Sequence, residues 1–310
     1  MLSRRQFVAR TSAAAAALPF VSPFGPRPAR AVALGTRAEF TPIRRGVGFF
    51  TGRGGTIGYL QTPDALVAVD TQFPEQAQAF LDGLRAGARG DAAGGTGRGL
   101  DLLVNTHHHG DHTAGNEVLA PVAATHVAHE AVPGLQRAAA VRNGSLDAQR
   151  YPSTTFARTW SADVGGEVVS LRSFQPAHTA GDAVVHFERA DVVHMGDLVF
   201  NRRQPFIDTA AGAWVEGWIE VLETVHGRHS DDAVFVFGHA GEGFPVTGDR
   251  ADLLAMRDFL SALLEQVAAG LGAGRSLEDM EGTEIAGFEA WGPAPMRVVE
   301  AVATEVQRGQ

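Results

Sequence analysis

The stretch from Leu100 to His112 reads LDLLVNTHHHGDH. Its apolar run, Leu102-Leu103-Val104, predicts a short buried β-strand, and polar, glycine-containing sequence follows at once. Into the turn after that strand are packed His107, His108, His109, Asp111 and His112. The pattern His107-x-His109-x-Asp111-His112 sets four potential metal ligands within six residues. Two imidazoles spaced i, i+2 on an extended backbone project to the same side, so one cation can take both. Asp111 and His112, neighbours across a tight turn, are set to address a second cation beside the first. His108 lies between two ligand positions and points away from them.

The motif H-x-H-x-D-H behind a hydrophobic strand resembles the signature of the metallo-β-lactamase fold superfamily. That resemblance implies an α/β fold, a four-layer αββα sandwich, with further ligands arriving in order downstream. His178 lies in QPAHTAGD (175–182), between two strand-like runs, and the segment resembles the superfamily's third metal-binding segment, with Thr179 supporting it. Asp197 closes the apolar run VVHMGD (192–197), where a carboxylate resembles the superfamily's metal-bridging aspartate. His239 closes VFVFGH (234–239) and resembles the final ligand. Asp70, at the end of the strand expected over Leu66 to Asp70, resembles an aspartate that lies behind the ligands and orients one of them. Ligand types thus fall at the C-terminal ends of strands, where loops carry function on such sheets. His126, His129, His186, His194, His226 and His229 have no partner at ligand spacing and read as surface or satisfied core histidines.

Carried onto this chain, the resemblance implies one site of His107, His109 and His178, a second of Asp111, His112 and His239, and Asp197 bridging them. The chain has no Cys, so any metal site must use imidazole and carboxylate ligands. Such ligands suit two zinc ions and accommodate iron or manganese. Two zinc ions sharing a water lower its pKa towards ~7. The implied activity is that of a binuclear metallo-hydrolase whose metal-bound hydroxide attacks an ester-, lactone-, thioester- or β-lactam-like substrate. Asp111 is then the catalytic residue, orienting the nucleophile and passing its proton to the leaving group. Iron in the same ligands would support an oxidative enzyme of the sulfur dioxygenase kind, and a third reading is a non-catalytic periplasmic metal-binding accessory protein. True β-lactamases with an all-histidine first site generally lack the bridging carboxylate that Asp197 offers. Thioesterases of the glyoxalase II type have it, but hold glutathione with basic residues of a C-terminal helical domain that do not map onto this sequence.

Upstream, Ser3-Arg4-Arg5-Gln6-Phe7-Val8 resembles a twin-arginine export motif. An apolar run (Ala13 to Leu18), a Pro-rich stretch and Ala29-Arg30-Ala31, an A-x-A-like cleavage site, follow it. Residues 1–31 are therefore expected to be a cleaved export signal, and 32–310 a single domain ending in helices, periplasmic or secreted. The apolar run is shorter than the about 20 residues a membrane span needs, so no membrane insertion is expected after cleavage. The signal holds five Arg and no acids, so the remainder carries a net charge near −14 against −9 for the whole chain. That acidity argues against nucleic acid and anionic membrane as partners and leaves a small-molecule substrate. The lack of Cys suits an oxidising compartment. Lys is absent too, so every basic side chain is Arg. In FNRRQPF (200–206), Arg202 or Arg203 is positioned to hold a substrate carboxylate through a bidentate pair.

Elsewhere, Ile43 to Phe50, Ile57 to Thr62 and Leu66 to Asp70 predict three strands with Gly-rich turns between them. The glycines of GRGGTIG (52–58) depart from G-x-G-x-x-G, since Ile57 stands where the third Gly belongs, and no helix follows. A hairpin turn is expected there rather than a phosphate loop. Helical periods run over Pro74 to Ala86, Trp214 to Val225, Ala251 to Ala269 and Met296 to Val306, the arrangement an α/β sandwich requires.

Overall fold

Apolar strands buried on both faces need cover on both sides, and this chain supplies it with two sheets and two sets of helices. The computed structural model describes residues 39–87 and 99–308. The expected export signal, residues 1–31, lies outside the described residues. The first sheet contains, in spatial and chain order, β1 (Glu39–Arg44), β2 (Val47–Thr51), β3 (Ile57–Gln61), β4 (Leu66–Val69), β5 (Leu102–Val104), β6 (His126–His129) and β7 (Thr154–Phe156). β1 to β4 run antiparallel; β4 to β7 are parallel.

The single strand expected over Ile43 to Phe50 is instead a hairpin of β1 and β2. Arg45 and Gly46 both take left-handed backbone angles (φ 54° and 81°), and Arg44 pairs with Val47 across them. A two-residue turn of this hand matches the twist of the flanking strands, so the chain reverses where its apolar pattern alone reads as continuous.

The second sheet is built from β8 (Thr159–Val164), β9 (Glu167–Arg172), β10 (Val184–Phe187), β11 (Val192–His194), β13 (Val234–Val236) and β15 (Thr247–Gly248); β12 (Phe200–Asn201) and β14 (His239–Ala240) pair as a separate ribbon. Its order is β15-β13-β11-β10-β9-β8. The helices are α1 (Pro74–Gly87), α2 (Gly110–Thr113), α3 (Asn116–Leu119), α4 (Val132–Asn143), α5 (Val215–Arg228), α6 (Arg250–Gly272), α7 (Leu277–Met280) and α8 (Met296–Arg308). Among the described residues no helix is long and apolar enough to cross a membrane.

Strand β4 shows how sequence sets the layers. Its period of two sends Val67 and Val69 into the core between the sheets, beside Val185, Phe187 and Val236, and sends Leu66 and Ala68 outward against Phe80 and Leu84 of α1. The far face of the second sheet packs Val193 and Phe235 with Trp218 of α5, Phe259 of α6 and Val298 of α8. Each such side chain contributes about 1.5–3 kcal/mol on burial. The result is a four-layer αββα sandwich.

The layers matter for function at one edge. The parallel pair β4 and β5 and the parallel pair β11 and β13 both end there. Thr56 stitches the sheets together at that edge: its N–H donates to Gly238 O (2.9 Å), and its carbonyl lies 3.1 Å from His194 Nε2.

Candidate metal centre

Asp70 turns the chain out of β4 with a left-handed φ of 67°. Its buried carboxylate accepts from Thr106 N–H (2.8 Å) and from the Thr106 hydroxyl (2.7 Å), and lies 2.7 Å from His112 Nδ1. Held on Nδ1, His112 directs Nε2 to within 3.0 Å of Asp197 Oδ1. The segment after β5 bends through residues 106–108, is extended at His109 and then closes into the single turn of α2, which carries Asp111 and His112. Asn105 and Asn116 clasp each other beneath it (3.1 and 2.8 Å), and Asn105 also donates to His112 O (3.2 Å).

The seven side chains singled out as ligands come together in two groups that meet at Asp197. In the first, His109 Nδ1 lies 3.0 Å from both His107 Nε2 and His178 Nε2, with Asp197 Oδ2 at 3.8 and 3.6 Å from those two nitrogens. In the second, His239 Nε2 lies 3.1 Å from Asp111 Oδ2 and 3.3 Å from Asp197 Oδ2, while His112 Nε2 is 3.8 Å from Asp111 Oδ2.

This geometry fits a divalent cation better than it fits a hydrogen-bond network. Burial pushes His107 well down and His178 down to about 3, and the Nε2 of each faces another ring nitrogen, His109 Nδ1, across 3.0 Å. His112 Nε2 and Asp197 Oδ1 are buried and close, yet neither has an aligned hydrogen-bond partner. Buried polar atoms left in that condition are costly, and converging nitrogen and carboxylate ligands are what a divalent metal takes.

The second group is also primed for positive charge. Burial would lower His112 and His239, but the carboxylates outweigh it. Asp197, then Asp70 and Asp111, hold His112 well above its usual value, and Asp197 with Asp111 lifts His239 to about 9. Burial would likewise raise Asp111 and Asp197, but His112 and His239 bring Asp111 to about 2 and hold Asp197 well below the usual carboxylate range. A cation entering here displaces protons.

Several residues at this site are invisible to motif reading. Asp208, in PFIDTAAG (205–212), looks like an ordinary cap, and it does cap the turn at Ala211; its other oxygen lies 3.0 Å from His109 Nε2. The His109 contact holds Asp208 down at about 2. Gly55, in the expected hairpin turn, presses on His112: a Cβ there would sit 2.1 Å from the ring. A Cβ on Gly238 would sit 2.0 Å from Asp197 Oδ1. Neither glycine carries a signal beyond its type.

A cavity of about 300 Å³ opens over both groups, walled by Asp111, Asp197, Phe200, Arg203, Phe206 and Arg297. A larger groove of about 790 Å³, between α5, α6 and α8, holds no converging ligands among the described residues. Arg202 does not face the cavity. The chain turns at Arg202 (φ 52°), whose guanidinium pairs with Asp252 (3.1 Å) and lies over the Trp291 ring (4.7 Å), leaving only Arg203 on the site side. Thr179 donates its hydroxyl to Asp182 (2.6 Å) and its N–H to the same carboxylate (2.8 Å). It therefore shapes the loop bearing His178 and makes no hydrogen bond to a ligand ring among the described residues. His108 belongs to neither group; it gathers with His109 and Asp208 (Nε2 to Oδ2, 3.8 Å) and is buried with no hydrogen-bond partner for either ring nitrogen among the described residues. His126 and His194 are core histidines, bonded through Nε2 to Asn105 (2.7 Å) and Thr56 (3.1 Å), although His126 Nδ1 is buried without a hydrogen-bond partner among the described residues. His186 and His229 are not isolated: they gather with Asp191.

Hydroxyacylglutathione hydrolase of Acidiphilium cryptum (strain JF-5) is 35% identical to this chain over 125 residues, 40% of this chain and 46% of that protein. The match therefore spans less than half of that relative. Among solved structures, a metallo-β-lactamase from Pontibacter korlensis aligns with a TM-score of 0.58 at 21% identity, covering 73% of this chain and all but 1% of that one (99%). The stereoselective inverting sec-alkylsulfatase Pisa1 from Pseudomonas sp. aligns at 0.65 and 14% identity, covering 87% of this chain and 50% of its own. At such identities the likeness is one of fold. The metallo-beta-lactamase superfamily model matches residues 50–262, a span that runs from β2 through every ligand position into α6. On that match, and with the sandwich and ligand order agreeing, this chain belongs to the metallo-β-lactamase superfamily.

Proposed function

We propose that the chain is a binuclear metal-dependent hydrolase of an ester-, lactone-, thioester- or β-lactam-like small molecule, working in the periplasm or outside the cell after twin-arginine export. One observation carries the reading. Asp197 presents its carboxylate to both ligand groups at once, between 3.0 and 3.8 Å from nitrogens of each. His107, His109 and His178 would hold one cation and Asp111, His112 and His239 the other, with Asp197 shared. Two bound cations, zinc foremost, supply an acidified water and positive charge for a developing oxyanion.

The chain's own groups do the rest. Asp111 stays ionised, and its side chain is 31% exposed to the cavity, so it can orient an attacking oxygen and carry a proton to the leaving group. Arg203 and Arg297 at the mouth offer planar donors to a substrate carboxylate. Phe206, edge-on to His109 at 5.2 Å, supplies an apolar wall. The partial match to a hydroxyacylglutathione hydrolase supports thioesters within the substrate range.

The test joins metal analysis to turnover on a panel of lactones, thioesters, esters and β-lactams. The expected result is two zinc ions in the centre, with Asp111→Ala folded but inactive and Asp197→Ala depleted of metal. Turnover retained in folded Asp111→Ala would sink the scheme, and iron with oxygen consumption would replace it with oxidative chemistry.

A further inference from the structure

On the opposite side of the second sheet from the first, two imidazoles and a carboxylate come together from two segments of the chain. His186 is on β10, Asp191 in the turn between β10 and β11, and His229 directly follows the last turn of α5. One ligand atom from each lies within 4.8 Å of the other two. His186 Nε2 is 3.3 Å from Asp191 Oδ1, and the two imidazole rings stand edge to face with centroids 4.7 Å apart. We propose that His186, Asp191 and His229 form a separate binding site for a single transition-metal cation of the zinc or copper(II) type.

The site is built rather than incidental. Asp191 adopts a left-handed φ of 51°, and its other oxygen accepts from the Ser230 hydroxyl at 2.5 Å, which fixes the carboxylate from behind. The Arg44 guanidinium donates to the Asp191 carbonyl, pinning the turn to the first sheet's edge strand. Neither ring nitrogen of His229 has a hydrogen-bond partner among the described residues, and the ring sits edge-on to Phe235 (5.8 Å). Burial keeps that ring neutral, down at about 4, which is the form that binds metal. A hollow of about 220 Å³ opens on both imidazoles, leaving room for water to complete the coordination.

The neighbours decide which cation fits. Arg172 and Arg228 line the same hollow, opposed by Glu188 alone. Calcium and magnesium rely on several carboxylates and gain little beside two guanidinium groups. A cation held through imidazole nitrogen depends less on net charge, so zinc or copper(II) is selected. Bound there, the metal would tie the end of α5 to the β10–β11 turn, a clip between segments about forty residues apart in sequence.

The experiment is a zinc titration of protein whose central metal centre is already loaded, followed by calorimetry. Wild type is expected to take up one further zinc per chain, lost in both His186→Ala and His229→Ala, with hydrolysis of any active panel substrate unchanged. Equal uptake by wild type and folded variants overturns the proposal. Should His229→Ala fail to fold, His186→Gln, at a side chain 23% exposed, decides on the same criterion. Uptake of the further zinc accompanied by loss of hydrolysis in His186→Gln would equally overturn it, because the ion would then belong to the central site.

Discussion

Replacing Gly238 by Ala adds one methyl group where Asp197 leaves no room. The new Cβ would stand 2.0 Å from Asp197 Oδ1 and 2.8 Å from both the carbon and the oxygen of the Gly196 carbonyl. Retreat of the backbone is blocked too: Gly238 N–H donates to Gly196 O (2.7 Å), and Gly238 O accepts from Thr56. The carboxylate must therefore move. Reaching an ordinary contact near 3.4 Å requires a shift of about 1.4 Å, against the ~0.5 Å within which a functional constellation must be held. Asp197 faces both ligand groups, so one displacement spoils two sites. The expected outcome is zinc affinity reduced at least about 10-fold and turnover reduced about 100-fold, for an overpacking cost of only about 1–3 kcal/mol. Isothermal titration with zinc, metal analysis after desalting and circular dichroism read these separately. Gly134→Ala in α4, where a Cβ meets nothing within 4 Å, is the control and should bind as wild type. A Gly238→Ala protein with wild-type zinc affinity and turnover would refute the steric reasoning and the role given to Asp197.

Asp70→Ala strands Thr106 N–H and His112 Nδ1 in a site 1% exposed, at about 1–3 kcal/mol for each unpaired group, while the Thr106 hydroxyl keeps His107 Nδ1 at 3.0 Å; thermal melts should drop clearly and zinc affinity fall about 10–100-fold. Arg203→Ala should raise KM for anionic substrates about 10-fold with kcat nearly kept, whereas Arg202→Ala, losing its half-exposed pair with Asp252 and the Trp291 stack, should lower stability by about 1 kcal/mol and leave KM alone. Steady-state kinetics on one acidic and one neutral substrate separates the two arginines. Chelator-treated protein should lose stability as pH rises from about 6.5 through 9. His239 has a folded value of about 9, so the folded chain holds more protons than the unfolded one across that window. Denaturation at several pH values checks this, and zinc-loaded protein should lack the decline because the cation has displaced the protons.

What could be read from the chain follows the range of the interactions concerned. The His107 to His112 cluster was legible because an apolar strand and an i, i+2 spacing are local facts that survive folding. Asp197 and His239 were legible for a related reason: each ends a run of apolar residues, and in parallel strands those ends share one edge. The β1–β2 reversal was missed because Arg45 is not a residue type that announces a left-handed turn, while the apolar pattern runs through it. Choosing between Arg202 and Arg203 depended on Asp252 and Trp291, about 50 and 90 residues away. Asp208, Gly55, Gly238 and Arg297 act only through contacts across the fold. The His186 grouping escapes motif reading for the same reason, since β11, β12 and the whole of α5 lie between its two histidines in sequence.

The first sheet's loops carry His107, His109, Asp111 and His112, and the second half of the chain carries His178, Asp197 and His239. Neither half alone holds all the residues proposed for either cation. Metal retention is therefore a readout of docking between halves: a chain nicked between β7 and β8 should keep its cations while the fragments stay associated and release them on separation. By the same linkage each cation, once bound, would act as a rivet through the seam, opposing slippage of one sheet over the other. Strong chelation should loosen that seam before it melts either sheet.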